Sequence, residues 1–125
     1  MIGHQLAGAV LAAVVALAAA GTASADMSGL VGNTVIGVTP DKVTRKIQLG
    51  ADGGYRITLS DGSVSTGKWT EEGGKLCYER IDPPPPAGSP NPLCVEGFDG
   101  HKAGDTWSAP WRNGATMSLT AISGQ

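Results

Sequence analysis

The stretches KLCYERI at positions 75–81 and LCVEGF at positions 93–98 decide how this chain folds, because they contain its only two cysteines. Each stretch is a strand-like run with a cysteine inside it, and the loop DPPPPAGSPNP at positions 82–92 joins them. We therefore expect an antiparallel pair of strands in which Cys77 lies opposite Cys94.

This register can be checked against the neighbouring residues, because opposed residues of an antiparallel pair share a face and successive residues alternate between faces. One face of the pair is then apolar, and the cysteine face carries two opposite charges. Cross-strand pairs of this kind each contribute about 0.2–1 kcal/mol. The opposed pairs are Leu76 with Val95, Tyr78 with Leu93, and Lys75 with Glu96.

The two cysteines could form a structural disulfide, a metal site or a redox site. A metal site needs more ligands than two distant cysteines, and thiol redox sites usually carry a C-x-x-C motif, which this sequence lacks. We predict a structural disulfide between Cys77 and Cys94, worth about 3 kcal/mol in the chain-entropy model. Such a bond requires an oxidising compartment.

Residues 1–25 have the composition of a signal peptide. An uncharged, alanine-rich run spans positions 6–20, and Ala23-Ser24-Ala25 matches the pattern of small residues that precedes signal cleavage. We predict cleavage before Asp26 and a periplasmic or secreted protein, although positions 1–5 lack the usual Lys or Arg. A permanent membrane anchor is the alternative, but the run is shorter than the ~20 residues that a span requires.

Residues 26–125 are long enough for one domain and carry all nine basic and all eleven acidic side chains of the chain. The charges nearly balance and no basic run occurs, so the sequence has no electrostatic footprint for nucleic acid. We expect one domain with no nucleic-acid partner and no stable membrane span after cleavage.

Alternating apolar and polar residues, interrupted by glycine turns, predict about eight short strands in residues 26–125 and no helix. This all-β pattern favours a small antiparallel meander that forms a closed or nearly closed barrel with one disulfide. A two-sheet sandwich is the alternative. Residues 26–29 are expected to form a loose lead before the first strand.

Two of the glycine turns make specific predictions about hairpins. A three-residue loop at positions 51–53 would set Leu49 opposite Tyr55. The last hairpin turns about Asn113-Gly114, and both a two-residue and a three-residue loop fit. Only the longer loop brings three apolar side chains of this hairpin onto one face, namely Trp107, Trp111 and Leu119.

A third turn, Asp61-Gly62, reads as a two-residue loop that sets Leu59 opposite Val64. From Val64 onward the apolar positions are even-numbered, yet Trp69 is odd-numbered. We predict a bulge at Gly67 that exchanges the two faces of this strand.

Five short motifs occur in a fixed order: LVGNTVIG at 30–37, DG at 61–62, GKW at 67–69, LCY at 76–78 and LC at 93–94. This order resembles that of a group of small exported bacterial proteins of unknown function. The resemblance covers most of residues 26–125, implies a compact lipocalin-like β-barrel and brings no catalytic residue with it. A looser resemblance is to small periplasmic barrel inhibitors of secreted metalloproteases, which also have one disulfide.

Catalysis would need a nucleophile with a base, a metal site or a carboxylate pair. The single histidine after the signal, His101, lies in a glycine-rich turn between Asp99 and Asp105, and this spacing matches no known metal-binding loop. We interpret the three residues as solvated turn residues. We therefore expect a protein that is not an enzyme and has no metal and no cofactor.

Several aromatic residues, with one charged residue beside them, are candidates for a ligand pocket at the mouth of the barrel. An eight-stranded barrel encloses side chains or at most one small ligand. The alternative is that the aromatic residues belong to the core. The candidate ligand-binding residues are Tyr78, Trp107, Trp111 and Arg112.

We expect a non-catalytic binding module for a small apolar ligand or a cell-envelope component. The alternative is a protein-interaction or protease-inhibitor module that uses the proline-rich loop or the lead at 26–29. Residues 83–86 would then form a polyproline II segment that docks on an aromatic groove, whereas a stiff connector is the simpler interpretation. An open apolar cavity would favour the first function, and a filled barrel with a protruding loop would favour the second.

Overall fold

A computed structural model describes residues 26–125. Alternating apolar and polar residues form eight strands in it, and glycine-containing turns separate most of them. The predicted signal at residues 1–25 lies outside the described residues. No helix within residues 26–125 has the length and apolarity needed to cross a membrane. The elements are β1 (Thr34–Val38), β2 (Thr44–Leu49), β3 (Gly54–Leu59), β4 (Val64–Glu72), β5 (Lys75–Asp82), β6 (Leu93–Val95), β7 (Thr106–Pro110), a 3₁₀ turn (Arg112–Gly114) and β8 (Thr116–Ile122).

All eight strands belong to one sheet, in the order β6-β5-β4-β3-β2-β1-β8-β7. Strands that are neighbours in the chain pair antiparallel, with the exception of β6 and β7, and β1 also pairs with β8. The sheet therefore curls into a barrel that is open on one side, between β6 and β7, which we call the seam. This arrangement confirms the predicted meander barrel and excludes the two-sheet sandwich.

The predicted disulfide joins Cys77 of β5 to Cys94 of β6, with the two Cα atoms 4.0 Å apart. The register around it is the predicted one, because Leu76 lies opposite Val95 and Tyr78 opposite Leu93. The two charges beside the cysteines also meet, and the Nζ of Lys75 is 3.7 Å from Oε2 of Glu96.

The hairpin of β2 and β3 also has the predicted register, with Leu49 opposite Tyr55. Gly53 adopts a φ of +90°, the left-handed conformation that closes this loop. In the last hairpin, the Trp111 N–H donates to the Ala115 carbonyl at 2.8 Å, so the loop between them has three residues. The longer of the two possible loops is therefore the one that forms.

The prediction for the Asp61-Gly62 turn is wrong by one residue. The Leu59 N–H donates to the Ser63 carbonyl at 2.9 Å, and Val64 lies opposite Thr58 rather than Leu59. The loop has three residues because Gly62, at a φ of +92°, adds a left-handed residue after the turn. A shift of one residue reverses the faces of the strand that follows.

This shift also explains why β4 needs no bulge. Ser65 lies opposite Ile57, and Gly67 lies opposite Tyr55, so the odd-numbered residues of β4 face the interior throughout. The irregularity falls between Thr66 and Gly67 as predicted, but the unpaired residue belongs to β5. Gly67 has a different role: a Cβ there would clash with the Glu79 carbonyl oxygen of β5 and would lie 2.9 Å from the Tyr55 ring. The missing side chain therefore lets the β5 backbone and the Tyr55 ring approach β4 closely.

The lead before β1 is packed into the barrel, and the prediction that it is loose is wrong. Met27, within the lead at 26–29, is 3 % exposed, and Leu30, which follows the lead directly, is 1 % exposed. The Gly100 N–H donates to the Asp26 carbonyl at 2.7 Å, which ties the lead to the turn before β7. Burying each of these two side chains stabilises the fold by about 1.5–3 kcal/mol, which offsets a large part of the entropy lost when the segment is ordered. We call this end of the barrel the filled end.

Candidate functional site

The opposite end of the barrel, which we call the mouth, carries the loops at positions 39–43, 60–63, 83–92 and 111–115. It opens into a cavity of about 430 Å³, the mouth cavity. The walls are the inner faces of β3, β4 and β5, and the proline-rich loop folds over them. The lining side chains of the loop are Pro83, Pro85, Pro86, Ser89, Pro90 and Asn91.

A second cavity, also of about 430 Å³, lies along the seam, and we call it the seam cavity. Leu93 and Val95 of β6 form one wall, and Pro110 and Trp111 lie on the side of β7. The two cavities adjoin and have five lining residues in common, which are Arg45, Ile57, Tyr78, Leu93 and Arg112.

Tyr78 stands where the two cavities meet. It is 9 % exposed, and its ring centroid is 4.9 Å from that of Tyr55 at an interplanar angle of 59°. Burial raises the pKa of Tyr78, and the neighbouring Tyr55 adds to the rise. The disulfide one residue away fixes the strand that carries this ring. Tyr78 therefore presents a rigid, uncharged aromatic wall to both cavities.

Arg45 enters the interior because it alternates with Ile47 and Leu49, which are both buried on the inner face of β2. Its guanidinium carbon lies 4.6 Å from the centroid of the Trp111 ring. Burial lowers the pKa of Arg45, the positive charge of Arg112 lowers it further, and the carboxylate of Asp41 opposes both effects in part. Among the described residues, its Nε is buried and has no hydrogen-bond partner.

Arg112 reaches the same ring from the 3₁₀ turn that follows β7. Its guanidinium carbon is 4.9 Å from the Trp111 centroid, so one indole contacts two cations. The turn places Arg112 at the rim because Asn113 takes a left-handed conformation, with a φ of +56°.

Arg80 lies on the inner face of β5, two residues after Tyr78, and joins the proline-rich loop to the barrel. Its Nη2 donates to the Pro84 carbonyl at 3.1 Å, and its backbone N–H donates to Oδ1 of Asn91 at 2.9 Å. The loop is therefore held against the mouth by both of its arms. Within residues 26–125, the Nε of Arg80 is also buried without a partner.

The structure brings three of the four predicted ligand-binding residues together. Tyr78 and Arg112 line both cavities, and Trp111 lines the seam cavity. Trp107 lies at the filled end instead, where its ring stacks on His101 with centroids 3.8 Å apart and meets the edge of Phe98. Its position differs because the lead and its neighbours fill that end of the barrel.

The predicted turn residues around His101 form a local cluster outside the cavities. The Nδ1 of His101 is 3.4 Å from Oδ2 of Asp105, and the Lys102 N–H donates to the same carboxylate oxygen at 3.0 Å. In residues 26–125 the structure shows no group of three or more acidic, histidine or cysteine side chains placed to hold a metal ion.

Sequence reasoning missed Arg45, Arg80 and Tyr55 as lining residues. The sequence did indicate the two arginines, since each lies at a position of its strand where the alternation predicts an inward-facing apolar residue. Arg45 is in phase with Ile47, and Arg80 is in phase with Tyr78. A cation at an inward position predicts either a counter-charge or a cavity.

Comparisons of this chain with protein-family models, with curated proteins and with solved structures find no match. The resemblance to exported lipocalin-like barrels therefore stays a prediction from sequence motifs.

Proposed function

We propose that this protein is an exported, non-catalytic binding module that holds a small ligand in the joined mouth and seam cavities. The observation that carries the proposal is that two cavities of about 430 Å³ each meet on shared residues inside a small barrel. Pockets for small molecules occupy ~300–1,000 Å³ and are lined mainly by apolar and aromatic side chains with a few polar groups.

The lining has this composition. Aliphatic, aromatic and proline side chains supply most of the walls, and the arginines supply the principal charged groups at the mouth. The rim is also rigid, because the disulfide fixes β6 and the proline-rich loop is hydrogen-bonded at both arms. A preformed, rigid cavity binds with a smaller entropic cost than one that must order on binding.

The disulfide is consistent with a location outside the cytoplasm. A periplasmic or secreted location is the finer form of this proposal, and it rests on the signal-like sequence of residues 1–25. The lipocalin-like character of the barrel is likewise part of the proposal.

The alternative, a protein-interaction or inhibitor module, has less support. It requires the proline-rich loop or the lead to be available to a partner. Most residues of the proline-rich loop are exposed, but the loop also lines the mouth cavity, and the lead buries Met27. Both segments therefore contribute to the barrel itself.

The test is a fluorescence titration of the mature protein with N-phenyl-naphthylamine, a neutral apolar dye that brightens in apolar sites. The variant Ser65→Phe places a ring inside the mouth cavity, which Ser65 lines opposite Ile57. The matched control is Ser118→Phe, which puts the same ring on the exposed outer face of β8.

We expect the dye to bind the wild type and the Ser118 control equally. Ser65→Phe should weaken binding about tenfold, equivalent to about 1.4 kcal/mol, because the new ring occupies part of the volume that the dye would fill. Circular dichroism of each variant checks that the barrel is folded. If the wild type does not bind the dye, or if both variants bind it equally, the cavity is not the binding site.

A further inference from the structure

The mouth cavity is lined by three arginines, Arg45, Arg80 and Arg112. No aspartate or glutamate of the described residues lines this cavity, and none of the ion pairs within residues 26–125 involves an arginine. The only carboxylate of the adjoining seam cavity is Glu96, and Lys75 already pairs with it. Asp41, in the mouth loop at 39–43, attracts Arg45 from outside the lining but forms no ion pair with it. Three arginines therefore line a mouth cavity that has no carboxylate in its walls.

This arrangement is unfavourable for an empty site. Arg45 and Arg80 are partly buried, whereas Arg112 is exposed at the rim. Partly buried charges are costly unless an opposite charge or hydrogen bonds compensate them. Arg45 and Arg112 also contact one indole ring, so their like charges lie close together. The buried Nε atoms of Arg45 and Arg80 add two donors that the described protein leaves without an acceptor. An anion in the cavity would supply both the charge and the acceptors.

We propose that the ligand is an anionic amphiphile whose carboxylate or phosphate group binds Arg45, Arg80 and Arg112. This inference rests on the proposed function. Guanidinium groups match both acids, since their planar donors pair with two oxygens at once. The apolar part of the ligand extends from the mouth into the seam cavity.

The polarity of the barrel interior supports this orientation. Arg45 lies at the mouth end of β2, and the next inward residue, Ile47, is 4 % exposed and lines the seam cavity. Met117 lies on the same apolar wall. A chain that starts at the arginines therefore meets only apolar side chains along this wall as it goes deeper.

Isothermal titration calorimetry of the mature protein tests the inference with four probes that share one alkyl chain. Decanoate and decyl phosphate carry the two candidate acids, decanol is neutral, and decyltrimethylammonium is cationic. Inorganic phosphate serves as the acid without a chain. The protein variants are Arg45→Gln and Arg112→Gln, since Arg80 also holds the proline-rich loop through Pro84.

The matched control is Lys46→Gln, which removes the same charge from the exposed outer face of the same strand. We expect at least one anionic probe to bind about tenfold or more tighter than decanol, as a charged hydrogen bond of ordinary strength allows. Each arginine variant should lose about tenfold for that probe and little for decanol, whereas the Lys46 control should match the wild type. The better of the two acids identifies the headgroup.

Three results would overturn the inference. If decanol binds as tightly as both anions, the cavity binds apolar chains whatever the charge of the headgroup, and the proposed function still holds. If inorganic phosphate binds as tightly as decyl phosphate, the site recognises an anion and not an amphiphile. If the anions bind tightly but Lys46→Gln weakens them as much as Arg45→Gln does, the attraction comes from net charge and not from the cavity. Failure of the neutral dye to bind would instead remove the proposed function itself.

Discussion

Removal of the Cys77–Cys94 bond should both destabilise the barrel and open the seam cavity. Two perturbations test this: reduction of the wild type, which keeps both sulfur atoms, and the double variant Cys77→Ala with Cys94→Ala. If both perturbations change the Tm and the dye affinity alike, the effect comes from loss of the covalent bond, because only the variant changes the volume of the buried Cys77 side chain.

The global effect follows from the spacing of the two cysteines. They are separated by 17 positions, and the chain-entropy model gives about 3 kcal/mol at 25 °C for a loop of that length. In a domain of this size, each kcal/mol shifts the melting temperature by roughly 4–8 °C. The expected decrease in Tm is therefore roughly 12–24 °C.

The local effect follows from the position of β6 at an edge of the sheet. Its three residues pair only with β5, and the other side of the strand faces the seam. Leu93 and Val95 nevertheless form a wall of the seam cavity. Without the disulfide, a strand this short is held by few interactions, so the wall should detach at temperatures at which the rest of the barrel is still folded.

Thermal melts followed by circular dichroism measure the decrease in Tm. Titration with N-phenyl-naphthylamine well below the new Tm measures the detachment of the β6 wall. We expect weaker dye binding in both the reduced protein and the double variant. A Tm unchanged on reduction would refute the argument that the bond constrains the unfolded chain. A lower Tm with unchanged dye affinity would refute the argument that the bond holds the cavity wall.

Three further predictions concern the interior of the barrel and its turns. Gly67→Ala should destabilise the protein by about 1–3 kcal/mol, because the new Cβ would clash with the Glu79 carbonyl oxygen and would lie 2.9 Å from the Tyr55 ring, and an unchanged urea midpoint would contradict this. Burial raises the pKa of Tyr78 above its ordinary 10.0, so the folded protein keeps a proton that the unfolded chain loses. Stability is then complete below pH 10 and decreases above it, and Tyr78→Phe should flatten that decrease; an equally steep alkaline loss in the variant would exclude Tyr78 as its source. Hydrogen bonds from the Ser63 hydroxyl and N–H lower the pKa of Asp61 below 3.8, so this carboxylate stabilises the folded state above pH 3.8 and the contribution is lost as the pH falls through the lowered value. Asp61→Ala should remove that part of the acid dependence, and identical acid unfolding curves for variant and wild type would count against it.

The sequence was most informative where geometry leaves few choices. The disulfide requires Cys77 and Cys94 to be opposed, and this single condition sets every other pair of β5 and β6. In the β2–β3 hairpin, Gly53 is the one loop residue suited to a left-handed conformation, and it fixes the loop length. In both cases a covalent or steric condition determined the register before any packing was considered.

The turn at Asp61-Gly62 shows the limit of such reasoning. An aspartate followed by glycine fits a two-residue loop, and it also fits a three-residue loop in which the glycine is the last residue. The two readings differ by one residue, yet they assign opposite faces to all of β4. Only the packing of Tyr55 over Gly67 decides between them, and that contact joins different strands.

The lead and Trp107 were misjudged for a related reason. Local sequence does not show that one end of a barrel must be closed, so Met27 was read as part of a free segment and Trp107 as part of a pocket. In the structure Met27 is buried and Trp107 packs beside Phe98 at the same end. Both residues fill the space that the strand ends leave, which is a property of the curled sheet and not of any one strand.

The distribution of inward-facing residues explains why the cavity is at the mouth. Toward the filled end these positions carry large aliphatic side chains that are at most 1 % exposed. Toward the mouth they carry side chains that are too small or too polar to close the interior. The first group is Leu49, Leu76 and Leu119, and the second is Arg45, Ser65 and Arg80.

This gradient connects the fold to the proposed ligand. Leucine in place of Arg45 would continue the packing of Ile47 toward the mouth and would spare the fold a buried charge, so stability alone does not explain the arginine. An arginine at that position does fit a site in which an acid group supplies the missing charge. If so, Arg45→Leu should raise the Tm of the protein without ligand while it removes the preference for decanoate or decyl phosphate over decanol. A variant that is less stable than the wild type in the absence of ligand would show that Arg45 supports the fold, and the case for an anion would then rest on Arg112 and Arg80 alone.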